Sequence, residues 1–273
     1  MTGLPAAVRE VLDLWDLTAT GPMIRGTSAV VLPVDGAGEP AMLKVADPPA
    51  PSTTEHLALR RWDGVGAVRL LRASPARGAL LLERLPGPSL VNLWDEEACR
   101  IAADVMTTLA GPPLPAAPSA LEWAAGLFDG LDGAPLPQRV RERATRVARA
   151  RGASVQDQPD TTLRLVHGHL GYEHVLADGD RWRAISPEAI NAPPAFEFAP
   201  MLWERVDELG TGPSLRYGIR RRLEVLCEGT DTSWEDARDW AILRLTARAA
   251  VLGRAGDRAG VGVLLATLKA IDD

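Results

Sequence analysis

Apolar and polar residues change rhythm along the chain, and each rhythm predicts a different kind of element. Residues 5–17 ("PAAVREVLDLWDL") carry apolar side chains at helical spacing, which predicts a short amphipathic helix. Residues 28–46 ("SAVVLPVDGAGEPAMLKVA") read as two apolar strands joined by the turn chemistry of "DGAGEP". Residues 53–64 ("TTEHLALRRWDG") predict a helix, with Thr53 or Thr54 as cap and Gly64 as stop. A second strand pair follows at 67–74 and 78–85, around "PARG". After "PGPS" (86–89) the pattern turns helical, over 94–109, 119–131 and 137–151, with a Pro-rich connector at 110–119. Residues 162–170 begin as a buried strand, 174–186 predict a hairpin around Asp178-Gly179-Asp180, and from about 196 the chain is helical again.

This succession predicts an α+β protein with a β-rich lobe at 1–88 and a helical lobe carrying a hairpin at 89–273. A cleft between two lobes is a common place for a small ligand.

Composition adjusts the picture little. Of the 273 residues, 46% are hydrophobic and 24% charged, as in an ordinary globular protein. A net charge of −6 argues against a general nucleic-acid or membrane-surface binder. The arginine-rich runs at 139–152 and 216–224 have the spacing of solvated helix faces. The two cysteines, Cys99 and Cys227, sit in helical contexts and suggest no disulfide framework. The first residues carry charges through their apolar run, unlike a signal peptide, and no stretch is long and apolar enough to span a bilayer. These features predict a cytoplasmic protein.

The candidate chemistry gathers in "LVHGHLGYEHVL" (165–176). His167, His169 and His174 lie there, and the chain has four histidines in all. Around this segment the sequence resembles a known family. "RGTSAVVLPV", "AMLKVA", "EHLALRRWDGVGAVRLL", "RGALLLERL", "LVHGHL", "RWRAISP" and "PAFEFAPMLWER" follow one another in the order found in the aminoglycoside and hydroxyurea phosphotransferases, in particular the streptomycin six-hydroxyl kinases of actinomycetes. The resemblance runs from about residue 10 to about residue 250 and implies a protein-kinase-like fold of two lobes.

It also implies phosphoryl transfer from ATP, in which magnesium bridges the phosphates and the protein positions and stabilises charge. On that resemblance, Lys44 is the strand lysine that meets the phosphates and Glu55 the helix glutamate that pairs with it. Residues 25–31 match the loop over the nucleotide, where Gly26 lets backbone come close, and 83–87 match the hinge beside the adenine. The family's catalytic loop reads His-Gly-Asp-Leu-His-x-x-Asn-Val-Leu. Here His169 stands for the proton-accepting aspartate and His174 for the metal-holding asparagine. Ser186, in "ISP", stands for the second metal carboxylate. A later Gly-Asp-Pro of the pattern reads Ala192-Pro193-Pro194.

Imidazole and hydroxyl are poor magnesium ligands, so these departures predict the loss of phosphotransferase activity. Lys44 and Glu55 then remain as a vestigial nucleotide site, and no cofactor and no metal is expected. One reading is a small-metabolite enzyme of specialised, antibiotic-type metabolism. In it His169 is the acid or base, His174, Tyr172 and Ser186 support it, and Glu173 and Glu188 line the same cavity. Its reaction would be an elimination, isomerisation, cyclisation or hydrolysis. A second is a non-catalytic pseudokinase that binds a small molecule or a protein partner. A third is a residual aminoglycoside-type phosphotransferase. The spacing His-x-His-x₄-His also resembles some zinc arrangements, with no fourth ligand evident. In the resembled fold Trp203 and Trp240 face the acceptor pocket and could stack on substrate, although core packing suits both. On the resemblance, Glu197 stands for a family aspartate that organises the loop and reads as structural, and the carboxylates of 234–239 read as a solvated helix start or contacts to a cationic acceptor.

Overall fold

A computed structural model describes residues 4–26, 28–46, 54–157 and 162–272; the side chains of 128, 129 and 154–157 are not described. Thr27 of the expected nucleotide loop and Thr53, one of the two expected caps, lie outside the described residues. The chain divides into two compact units. The first comprises Met1–Pro88 with Leu176–Glu188, the second Ser89–Val175 with Ala189–Asp273.

The first unit is built on an antiparallel sheet. Strands β1 (Thr18–Ala19), β3 (Ala29–Asp35), β4 (Ala41–Ala46), β6 (Ala79–Glu83) and β5 (Leu70–Ser74) lie side by side in that order, and β2 (Ile24–Arg25) also pairs with β3. β3 and β4 are the two strands expected around "DGAGEP", in a register that pairs Val31 with Lys44 and Leu32 with Leu43. On β4, Ala41, Leu43 and Val45 alternate with Met42, Lys44 and Ala46; the first set is buried and the second partly exposed. Strand periodicity therefore puts Lys44 on the opposite face from the core. That core joins Leu32, Val34, Leu43 and Leu81 to Val8, Val11 and Leu12 of helix α1 (Ala6–Trp15). Helix α2 (Glu55–Trp62) follows at Thr54, whose side chain makes no capping bond.

The hairpin of β8 (Val175–Asp178) and β9 (Arg181–Ala184) forms where expected, with Gly179 at φ +64 in its turn. It was expected with the helical lobe, but residues 176–188 group with the first unit, for reasons of backbone pairing. Ala177 and Gly87–Pro88 exchange hydrogen bonds of 3.1 and 2.9 Å, and Ala184 pairs with Gly66 and Val68 at 2.8 Å each. Arg183 adds ion pairs to Glu83 and Asp178.

The second unit is helical: α3 (Asp95–Leu109), α4 (Ala120–Leu131), α5 (Gln138–Asp157), α6 (Ala199–Trp203), α7 (Pro213–Thr230), α8 (Trp234–Arg254) and α9 (Arg258–Asp272). Two short strands, β7 (Arg164–Val166) and β10 (Ile190–Ala192), pair antiparallel. Helices α3 and α7 approach closely because Gly229 has no side chain; a Cβ there would stand 2.6 Å from that of Ala103. Among the described residues no helix is long and apolar enough to cross a membrane.

Candidate functional site

In the first unit the Nζ of Lys44 donates to both carboxylate oxygens of Glu55, at 2.7 and 2.8 Å. The side chains are only 14% and 13% exposed, so the pair is screened little by water. The Oγ of Ser186 lies 3.4 Å from the same Nζ. Ser186 is one of the few non-glycine residues with positive φ, at +55. The N–H of Gly26 donates to the carbonyl of Ala29, the first residue of β3, at 2.8 Å. Glu188 is exposed.

In the second unit the segment after β7 is fixed by a buried carboxylate. Glu197 accepts the backbone N–H of His167 at 3.1 Å and of Gly168 at 2.5 Å. Gly168 takes a left-handed φ of +85, which reverses the chain and brings out His169. Glu197 thus organises the loop, as its position suggested. His167 is fully buried, and its Nδ1 accepts the backbone N–H of His169 at 3.3 Å. A short 3₁₀ turn at Tyr172–His174 then returns the chain. The rings of His169 and His174 meet edge to face, with centroids 5.1 Å apart at 84°. The ring of Trp203 stands 5.9 Å from that of His169, tilted at 43°.

Glu204 completes this group. Its Oε2 accepts the backbone N–H of Tyr172 at 2.8 Å. The ligand atoms of His169, His174 and Glu204 all lie within 4.8 Å of one another, and each residue is partly buried. The guanidinium groups of Arg244 and Arg248 stack on Trp203 at 5.4 and 4.6 Å. Burial, and after it these two cations, pushes His169 down to about 4, so its imidazole is neutral at neutral pH. Burial likewise raises the Glu204 carboxyl, while the Tyr172 N–H opposes the rise.

The remaining expected site residues go elsewhere. Tyr172 is fully buried; its hydroxyl donates to Asp95 at 2.6 Å and lies 3.8 Å from the Cys99 sulfur. Trp240 is 3% exposed and packs on Phe196 at 5.6 Å, in the core. The carboxylates at the start of α8 are held within the unit: Arg151 pairs with Glu235, Asp236 and Asp239. The side chains that the structure brings together are not the three histidines whose spacing resembles some zinc arrangements: Glu204, and not His167, joins His169 and His174. No local pattern announces Glu204, which comes from 30 or more positions along the chain.

Magnesium takes octahedral sets of hard oxygen ligands. Two imidazoles with one carboxylate in the second unit, and a hydroxyl at 186 in the first, do not suit it.

A model of the family described as "Aminoglycoside/hydroxyurea antibiotic resistance kinase" matches residues 14–256. The chain is 33% identical over 260 residues to a streptomycin 6-kinase of Streptomyces griseus, covering 90% of this chain and 81% of that one. It is 37% identical over 255 residues to a hydroxyurea phosphotransferase of Kitasatospora aureofaciens, covering 89% and 71%. Among solved structures, a choline/ethanolamine kinase family protein from Mesorhizobium loti superposes with a TM-score of 0.65 at 15% identity, over 97% of this chain and 94% of that one. A thermostable mutant of the aminoglycoside phosphotransferase APH(4)-Ia, in a ternary complex with ADP and hygromycin B, gives 0.62 at 15%, over 97% and 98%. At such identities these structures establish a shared fold.

Proposed function

Because the chain belongs to the aminoglycoside/hydroxyurea antibiotic resistance kinase family, we propose that it is a kinase-fold protein that binds a small organic metabolite and does not carry out the magnesium-ATP phosphoryl transfer that the resemblance implies. The observation that carries this reading is the pair of edge-to-face imidazoles, His169 and His174, beside Glu204. They stand where the resemblance expects an aspartate base and an asparagine metal ligand. Losing a general base costs about 10²- to 10⁴-fold in rate, and losing metal-borne charge stabilisation adds to it. Metal-free acid/base turnover receives less support than binding. Burial and the neighbouring arginines keep His169 neutral, which disfavours it as a general acid, and the hydroxyl of Tyr172 is engaged with Asp95. The Lys44–Glu55 pair supports a nucleotide remnant in the first unit. The setting we propose is cytoplasmic, with a small metabolite as ligand rather than nucleic acid or membrane, and with a protein partner as the alternative occupant.

A second reading is a small-molecule phosphotransferase, acting on substrates of the streptomycin or hydroxyurea kind. The family match and the intact Lys44–Glu55 pair favour it. One experiment separates the two: thermal unfolding with ATP, with and without magnesium, alongside a search for the phosphate ester of streptomycin and of hydroxyurea. The binding reading expects no magnesium-dependent shift and no ester. A magnesium-dependent shift together with ester formation establishes the second reading in its place.

A further inference from the structure

We infer that His169, His174 and Glu204 form a binding site for one divalent transition-metal ion of the zinc class, with its fourth coordination position open. Two imidazoles and a carboxylate are a donor set of catalytic zinc sites, which keep three protein ligands and one open position. The same set disfavours magnesium and calcium, which take oxygen.

The geometry supports convergence on one point. In a tetrahedral site with bonds of about 2.0–2.1 Å, ligand atoms stand about 3.3 Å apart. The three ligand atoms here lie within 4.8 Å of one another, so side-chain rotation of an ångström or so closes the set. The Tyr172 N–H holds Oε2 of Glu204 at 2.8 Å and leaves Oε1 for an ion. Gly171 makes room: a Cβ there would stand 2.6 Å from the Glu204 carboxyl carbon. His167, buried and accepting the His169 N–H, orients the first ligand from behind.

Charge works in both directions. Arg244 and Arg248, stacked on Trp203 beside His169, oppose a bare cation. Glu204 contributes one negative charge, and the excess positive charge favours an anion or hydroxide at the open position. The site stands whether or not nucleotide binds in the first unit.

The test uses the full chain, stripped with chelator and titrated with zinc, with cobalt(II) as a visible-absorption reporter and magnesium as the contrast. One zinc per chain is expected, with ligand-field bands for cobalt and no competition from a large excess of magnesium. Glu204→Gln keeps an acceptor for the Tyr172 N–H, so it preserves the fold while weakening the ligand. Glu204→Gln and His174→Ala, each checked for folding by circular dichroism, are expected to weaken zinc by about 100-fold or more, since even supporting residues around a metal cost 10- to 100-fold. His56→Ala, in helix α2, is expected to leave zinc affinity unchanged. Unaltered affinity in folded Glu204→Gln and His174→Ala overturns the site, as does loss in His56→Ala or equal binding of magnesium. None of these readouts involves ATP, so the site and the proposed function fail separately.

Discussion

Gly171→Ala separates the close approach of Glu204 from the general behaviour of glycine. Gly171 has φ −116 and ψ −177, extended backbone that alanine adopts freely. At such positions the substitution usually stabilises a protein by about 0.4–1 kcal/mol, because the unfolded chain loses freedom. Here the new methyl would stand 2.6 Å from Cδ of Glu204 and nearer still to both oxygens. The carboxylate must swing out and give up the Tyr172 N–H, a 2.8 Å bond. Hydrogen bonds to charged groups contribute about 1.5–3 kcal/mol. Setting that loss against the entropic gain leaves a destabilisation of roughly 0.5–2.5 kcal/mol. For a chain of this size about 1.5 kcal/mol lowers Tm by roughly 3–6 °C. Thermal and urea unfolding measure the loss, and zinc titration of the variant should show weakened binding. The double variant with Glu204→Ala isolates the cause: in that background Gly171→Ala should be neutral or stabilising. A single variant as stable as the parent, with unchanged zinc affinity, would refute the placement of Glu204.

Arg222→Met should cost about 3–5 kcal/mol in chemical unfolding. Arg222 is 1% exposed, pairs with Asp95 at 2.8 Å and donates to the carbonyls of Met201, Glu204 and Arg205, so a loss below 1 kcal/mol would contradict that network. Tyr172→Phe should cost about 1–3 kcal/mol by leaving Asp95 short of a donor, yet zinc affinity should not change. A fall in zinc affinity with unchanged stability would place the hydroxyl in the site after all. Burial pushes the Cys99 thiol up to about 12 and the Cys227 thiol up to about 11. Both stay protonated at pH 8, so the native chain should react with a thiol reagent far more slowly than the urea-unfolded chain. Rapid modification of the native chain would contradict the burial of Cys99 and the partial burial of Cys227.

Much of the fold is legible in the sequence because its signals are local. Alternation places Lys44 on β4, helical spacing places Glu55 on α2, and Asp178-Gly179-Asp180 fixes a hairpin turn. The catalytic-loop segment is legible through its resemblance, down to Glu197 as organiser of the loop. What is not legible depends on contacts between distant segments. Glu204 reaches His169 and His174 only because the chain returns through α6, and Gly171 is needed only because Glu204 is there. Tyr172 lies between catalytic-loop positions, yet the 3₁₀ turn points it at Asp95 on α3, a direction that sequence spacing does not encode. The hairpin was expected to follow its neighbours in sequence, whereas strand-edge hydrogen bonds to Gly66, Val68 and Gly87 decide its unit.

The most direct measurement is magnesium-dependent phosphate transfer from labelled ATP to streptomycin and hydroxyurea, comparing the wild-type chain with the triple variant His169→Asp, His174→Asn, Ser186→Asp. With imidazoles and a hydroxyl in place of oxygen-rich ligands, the wild-type chain should yield no labelled ester, and any transfer should appear only in the variant. Magnesium-dependent turnover by the wild-type chain would contradict the account.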